Sequence, residues 1–215
     1  MTAPELSVSV EGVEVVRHAI APTLRFFLAA DDLSGREVYT VALSAQLHIE
    51  PGKRRYDDAA KERLGDLFGE PERWPATAHP FLWSRVDLLV PSFHGRAKFD
   101  LLVQCTYDHE VASAKYLASL EDGDVPLTFH FSGTVLYRGD ADRLQMVQMP
   151  WDDSASFALP LRTWRDMIEA YYPRSGWIRL HSDTLAILRR EAAERGLPSL
   201  DACVLDLLSE RGEVA

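Results

Sequence analysis

Between Val38 and Ile49 the sequence reads VYTVALSAQLHI, with Tyr39, Val41, Leu43, Ala45, Leu47 and Ile49 apolar and Thr40, Ser44, Gln46 and His48 polar among them. Six alternate apolar positions do not line one face of a 3.6-residue helix, so the segment is a strand with one buried face. The run 125–138, VPLTFHFSGTVLYR, repeats the pattern, with Leu127, Phe129, Phe131, Val135 and Tyr137 apolar and Thr128, His130, Ser132 and Thr134 polar. Strands of this kind belong to an antiparallel sheet that is wet on one side. Thr128, His130, Ser132 and Thr134 then form the wet face, and Gly133 marks a bulge or a close backbone approach.

The neighbouring segments extend the sheet. TLRFFLAADDLSGREV reads as strand, turn, strand, a hairpin whose turn residues are Asp31, Asp32, Ser34 and Gly35. A second hairpin-like unit carries Phe99, Leu101, Val103 and Cys105 on its apolar face, alternating with Asp100 and Gln104. Two amphipathic helices punctuate the strands. One spans 57–68, with Ala60, Leu64, Leu67 and Phe68 inside and Gly69 past its end; the other spans 108–121, with Asp108 as cap and Val111, Ala114, Leu117 and Ala118 inside.

After Pro160 the pattern turns helical. LRTWRDMIEAYYP aligns Trp164, Met167, Ile168, Tyr171 and Tyr172; SDTLAILRREAAERG starts at a Ser182 or Asp183 cap and ends at Gly196; SLDACVLDLLSER starts at Ser199 and aligns Leu200, Cys203, Val204, Leu207 and Leu208. The expected fold is α+β. An antiparallel β-sheet or sandwich with short connecting helices occupies residues 1–160, and a C-terminal helical segment, 161–215, packs on it.

Composition narrows the function. A chain of 215 residues, 47% hydrophobic, buries a sizeable core, and a formal net charge of -10 opposes binding to a phosphate backbone, so nucleic acid is not an expected partner. The start, MTAPELSVSVEGVEV, lacks a basic region followed by an apolar one, and no apolar run approaches the roughly 20 residues that cross a bilayer. No membrane insertion and a cytoplasmic location are expected. Cys105 and Cys203 are too few for a disulfide framework, and each falls on an apolar stripe, so both are expected to be buried and unbonded.

No catalytic signature stands in the chain, and neither a cofactor nor a metal is expected. His109-Glu110 lacks the second histidine of a zinc-protease helix, because residue 113 is Ser113, and Cys105-x3-His109 supplies half of a metal site at most. His48 and His130 lie on the polar faces of the two cleanest strands and share a surface if those strands are neighbours. The acidic pairs Asp31-Asp32, Asp57-Asp58 and Asp152-Asp153 fall where turns and helix starts require aspartate.

The stretch 69–93, GEPERWPATAHPFLWSRVDLLVPSF, is different: its apolar residues follow neither period. It reads either as a buried strand with an irregular entry or as a proline-stiffened recognition surface. Aromatic and arginine side chains dominate interface energies. Trp74, Phe81 and Trp83, with Arg54 and Arg55 nearby, are therefore the candidate partner-binding residues.

The segments KRRYDDAAKERLGDLFGEPERW, PFLWSRVDLLVPSF, CTYDHEVASAKYLASLEDGDVPLTFHFSGTVLYRG, MPWDDSASFALPLRTWRDMIEAYYP and SGWIRLHSDTLAILRREAAERGLPSLDACV together resemble an uncharacterised actinobacterial family classed only as a domain of unknown function. That resemblance brings no catalytic residues. It implies a gene neighbourhood of nickel-iron hydrogenase subunits and maturation factors, hence an accessory role with a protein partner. The order of strands then helices, with Tyr172-Pro173 and the Arg195-Gly196-Leu197-Pro198 turn, is also similar to a tetrameric bacterial export chaperone. The reading is a non-enzymatic accessory or binding protein, with a homo-oligomer among its expected assemblies. A client-holding chaperone and an enzyme with an unrecognised site are the alternatives.

Overall fold

The computed structural model describes residues 3–105, 111–139, 143–150, 152–174 and 180–212. The expected His109-Glu110 feature and the Asp108 cap lie outside the described residues. Two compact units are present, Met1–Ser175 and Gly176–Ala215. Among its described residues the first contains nine strands: β1 (Leu6–Val15), β2 (Thr23–Asp32), β3 (Glu37–Ile49), β4 (Phe81–Val90), β5 (Phe93–His94), β6 (Arg96–Gln104), β7 (Asp124–Arg138), β8 (Leu144–Gln148) and β9 (Ser154–Pro160). Helices α1 (Asp58–Phe68), α2 (Trp74–Thr77), α3 (Val111–Ser119) and α4 (Leu161–Tyr171) join or flank them. The second unit holds α5 (Ser182–Glu194) and α6 (Leu200–Glu210).

All pairings are antiparallel, in two sheets. One has the order β1-β2-β6; the other has the order β4-β3-β7-β8, with β5 also on β3 and β9 also on β7. The sheets face each other across one core. Phe26 of the first stands edge-on to Phe129 and Phe157 of the second, with centroids 5.2 and 5.8 Å apart. The fold is the α+β sandwich anticipated from alternation, with one buried face per strand.

The expected hairpin at 23–38 is a correction. β2 and β3 belong to different sheets, and the intervening turn is an arch between them. Asp32 builds it: its carboxylate accepts from the backbone N–H groups of Glu5, Ser34 and Arg36 and from the Ser34 hydroxyl. Gly35 takes φ 70, and the chain swings across the core instead of folding back. β6 likewise pairs with β2 rather than forming a hairpin with β4. Alternation does not say which sheet a strand joins.

Phase slips in the alternation coincide with bulges. In β3 the register against β7 shifts between Val38 and Thr40, so the extra residue Tyr39 is exposed and not on the apolar face expected for it. In β4 the register against β3 passes from Ser84 to Leu82, leaving Trp83 as the extra residue. Phe81 and Trp83 point inward before the bulge, and Val86, Leu88 and Val90 after it. Each half alternates, and only their sum is aperiodic.

Gly133 answers to a close approach. A Cβ there would lie 2.2 Å from the Ala42 carbonyl oxygen, so no other residue fits between β3 and β7 at that point. On the outer face, Thr128 is buried rather than wet. It donates to Glu50 at 2.7 Å and accepts from Lys53 at 3.3 Å.

The first helix forms as its caps require: Asp57 accepts from Ala60 N–H, and Gly69 ends it at φ 75. Among the described side chains of α3, Ser113, Tyr116, Leu117 and Ser119 are buried, with Leu120 buried just past its end, while Ala118 is exposed, contrary to expectation; the expected Val111 side chain lies outside those described. The stripe turns toward the bulky Tyr116 because its phenol has a partner inside, described below. On α4, Leu161, Trp164 and Met167 are buried in the core, with Ile168 and Tyr171 packed against it. α5 begins after His181, one residue ahead of the expected caps, whereas Ser199 caps α6 by accepting from Ala202 N–H at 3.1 Å.

Candidate functional site

The five sequence-selected residues fall into two places. Trp74, Phe81 and Arg54 converge on an aromatic cluster where β3 ends and β4 and β7 begin. Trp74 stands edge-on to Tyr56 and Phe68, at 5.1 and 5.5 Å, and Phe81 edge-on to Tyr116 at 5.9 Å. The indole N–H donates to the Gly69 carbonyl at 2.9 Å, which fixes α2 against the end of α1. The Tyr56 hydroxyl donates to the Pro51 carbonyl at 2.8 Å, so the Tyr116 hydroxyl, 2.7 Å away, donates to Tyr56. Burial is the main reason that both phenols titrate above their ordinary range.

Arg54 is a clasp. Its guanidinium donates to the Asp124 carbonyl at 2.6 Å and the Asp122 carbonyl at 2.5 Å, and lies 5.9 Å from the centre of the Tyr56 ring. Arg63 donates to the Ser119 carbonyl at 2.8 Å, and Arg165 to those of Leu120 and Glu121. Arg63 and Arg165 thus satisfy carbonyls at and just past the end of α3, and Arg54 those of Asp122 and of Asp124 at the start of β7. Arg55, next in sequence, is exposed.

Trp83 belongs elsewhere. It lines a groove of about 640 Å³ between the edge strands β4 and β6, one from each sheet. Leu82, Ser84, Arg85 and Val86 of β4, Leu102 and Gln104 of β6, and the loop carrying Val16, Ala19, Ile20 and Ala21 complete its walls. Trp83 is buried at the groove, Leu82 and Leu102 are half-exposed, and Ile20 is fully exposed. The loop is held from the far side by Tyr171, whose hydroxyl reaches the carbonyls of Val16 and Ala19 at 3.2 and 3.0 Å. Sequence reasoning missed Ile20, Leu82 and Leu102. Ile20 stands between turn residues, and the other two lie on the face that alternation assigns to polar groups.

His48 and His130 do meet on the outer face of the second sheet, centroids 5.0 Å apart and rings nearly perpendicular. Partial burial, then the neighbouring His130, lowers the His48 pKa. Cys105 follows β6 and is half-buried as a residue, but its thiol is enclosed, and burial pushes it up to about 12. Cys203 is buried, and both are free thiols. Among the described residues no group of three or more His, Cys, Asp or Glu side chains could hold a metal ion, and no helix is long and apolar enough to cross a membrane.

A family model described as "Family of unknown function (DUF6084)" matches residues 3–215. The chain belongs to this family. No curated protein matches it. Solved structures similar to it include the CARDB domain of the PF1109 protein from Pyrococcus furiosus, crystallised in complex with di-metal ions. That domain is 12% identical over 73% of this chain and 92% of its own, with a TM-score of 0.29. A putative late embryogenesis abundant protein is 10% identical over 73% of this chain and 71% of that one, with a TM-score of 0.34. Beta-glucosidase 3B from Thermotoga neapolitana is 10% identical over 74% and 17%, with a TM-score of 0.27. At these scores the likenesses carry no argument about what this chain does.

Proposed function

We propose that the DUF6084 chain is a non-enzymatic binding protein that receives an extended segment of a partner protein in the groove between β4 and β6. The observation that carries this reading is the groove itself. A cleft of mixed apolar and polar lining, with a buried tryptophan, is bordered by Ile20, Leu82 and Leu102 in water, beside a ten-residue edge strand that pairs on one side only. Such an edge offers a row of backbone donors and acceptors, and side chains of an added strand enter the cleft alternately. Trp83 is retained as a partner-binding residue on this reading. Arg54, Trp74 and Phe81 act behind it, holding the end of the sandwich together, and Arg55 has no assigned part.

The gene neighbourhood of nickel-iron hydrogenase that the sequence resemblance implies suggests a partner among hydrogenase subunits or their maturation factors, with the chain as an accessory to assembly. The test is co-purification from the native host, followed by amide exchange on the complex. A single stoichiometric partner, lost with Leu82→Asp and Leu102→Asp and slowing exchange along 81–90, is the expected result. Many unrelated clients would favour a holding chaperone. A partner retained by both variants would remove the groove from the binding surface.

A further inference from the structure

His48 on β3 and His130 on β7 occupy outward positions of adjacent strands, where alternation sends every second side chain away from the core. The register sets Gln46 opposite His130 and Thr128 opposite His48, so the two imidazoles are diagonal neighbours. β3 is held between β4 and β7, and β7 between β3 and the strands β8 and β9. Both rings thus stand on the interior of the sheet, where the backbone is fixed from both sides.

Their spacing is the one a shared ion requires. With nitrogen to metal at about 2.0–2.1 Å and a ligand angle between about 90° and 109°, two imidazoles on one ion have centroids about 4.5–5.2 Å apart. The observed centroids are 5.0 Å apart. The rings are inclined at 84°, and rotation about the soft outer torsion of histidine aims a nitrogen of each at a common point without moving the backbone. Among the described residues neither ring has a hydrogen-bond partner that would hold its nitrogens elsewhere.

The surroundings neither fill the space nor repel a cation. Nearby charges cancel in pairs, Lys53 at 3.4 Å from Glu50 and Arg85 at 3.6 Å from Asp87. Gln46, Thr128 and Ser154, the last opposite His130 on β9, are neutral. Partial burial, followed by repulsion from His130, keeps His48 unprotonated to a lower pH than usual, and an imidazole must be neutral to bind a metal.

We propose that His48 and His130 together bind one late first-row divalent ion, such as Zn2+ or Cu2+, on the outer face of the second sheet. Two nitrogen ligands and no carboxylate select against Mg2+ and Ca2+, which take oxygen. No third His, Cys, Asp or Glu joins them among the described residues, so water completes the coordination. The site is therefore open and its ion exchangeable, unlike a closed structural centre.

The test is calorimetric titration of the metal-free full chain with ZnCl2 at pH 7.5. One ion per chain, saturating below about 100 μM free Zn2+, is expected. His48→Gln and His130→Gln should each weaken it at least about tenfold, since either leaves a single imidazole, and Cu2+ should bind more tightly than Zn2+ at the same place. Zn2+ should raise the melting temperature of the wild type and of neither variant. His130 is exposed, so if His48→Gln fails to fold, His130→Gln decides. No saturation below that concentration overturns the proposal. So does unchanged affinity in His130→Gln, because the ion then sits on another histidine, and so does an equal response to MgCl2, because carboxylates then bind it. Partner capture in the groove is read with metal-free protein, so a failure there and a failure here are distinguishable.

Discussion

The sandwich has two open sides, and the chain finishes them differently. Where β1 approaches β9, α4 lies over the seam with Leu161 and Met167 fully buried and Trp164 nearly so. Where β4 approaches β6 no helix among the described residues of the first unit lies over the seam, and Leu82, Leu102 and Ile20 stand in water around Trp83. A sequence able to encode an amphipathic cover for one seam has no folding reason to keep leucines on the outer face of the other, since threonine or serine serves a solvated sheet face as well. The contrast separates residues that hold the fold from residues that await something else.

The largest effect that tests this contrast is at the closed seam. Trp164→Ala should destabilise the first unit by about 3–5 kcal/mol, the range for truncating a buried aromatic, with a lower denaturant midpoint at an unchanged slope. A loss below about 1 kcal/mol would mean that α4 is no more needed than the exposed leucines opposite, and the two seams would be alike.

Next comes the aromatic end, which the sequence made the candidate surface and the structure fills with internal bonds. Trp74→Ala removes two edge-to-face contacts and the indole bond to Gly69 from a half-buried site. It should cost about 2 kcal/mol, measured by urea unfolding. An unchanged midpoint would return Trp74 to the set of free anchors and extend the open region around that end.

What the sequence displayed and what it hid follow from how far each cause acts along the chain. Alternation in β3 and β7, the caps of α1 and α6, and the stripe of α4 depend on neighbours within a few residues, and all are readable. The arch at Asp32 depends on Glu5, and the sheet that each strand joins depends on partners tens of residues away; the same turn residues serve a hairpin equally well. At 81–90 the disorder in the pattern is one inserted residue, Trp83, and a single phase slip imitates an absence of period. The arginine clasps at Arg54, Arg63 and Arg165 left no mark, because their acceptors are backbone carbonyls that every residue carries. Leu82 and Leu102 were visible as letters, yet only the edge positions of their strands give them meaning.

A smaller effect concerns the outer face of the second sheet. Burial and then His130 disfavour the charged form of His48, so the unfolded chain binds more protons than the folded one between the depressed folded pKa and the ordinary value of 6.5. The stability this neutral imidazole contributes is present above about 6.5 and is lost as pH falls through that window. The melting temperature should fall between about pH 7.5 and pH 5.5, and His48→Gln should flatten that slope. A slope unaltered by the substitution would mean that the outer face imposes no electrostatic cost, and that this side is as indifferent as ordinary solvated surface.

The smallest change in stability belongs to the open seam, and it is the one on which the comparison turns. Leu82 occupies an outward position of an edge strand, half in water, and its nearest requirement for folding is a residue that tolerates extended backbone. Leu82→Asp should therefore move the unfolding free energy by no more than about 0.5 kcal/mol, within the range of ordinary surface substitutions. The same change puts a carboxylate at the mouth of the groove, beside Trp83, where desolvating it opposes any apolar side chain that enters. Binding should weaken at least about tenfold while the melting curve stays in place. Equal loss of stability and binding would make Leu82 a core residue of a seam that closes by itself. Unchanged binding with unchanged stability would leave the exposed leucines without a purpose, and the difference between the two seams would then be only where the chain happened to place a helix.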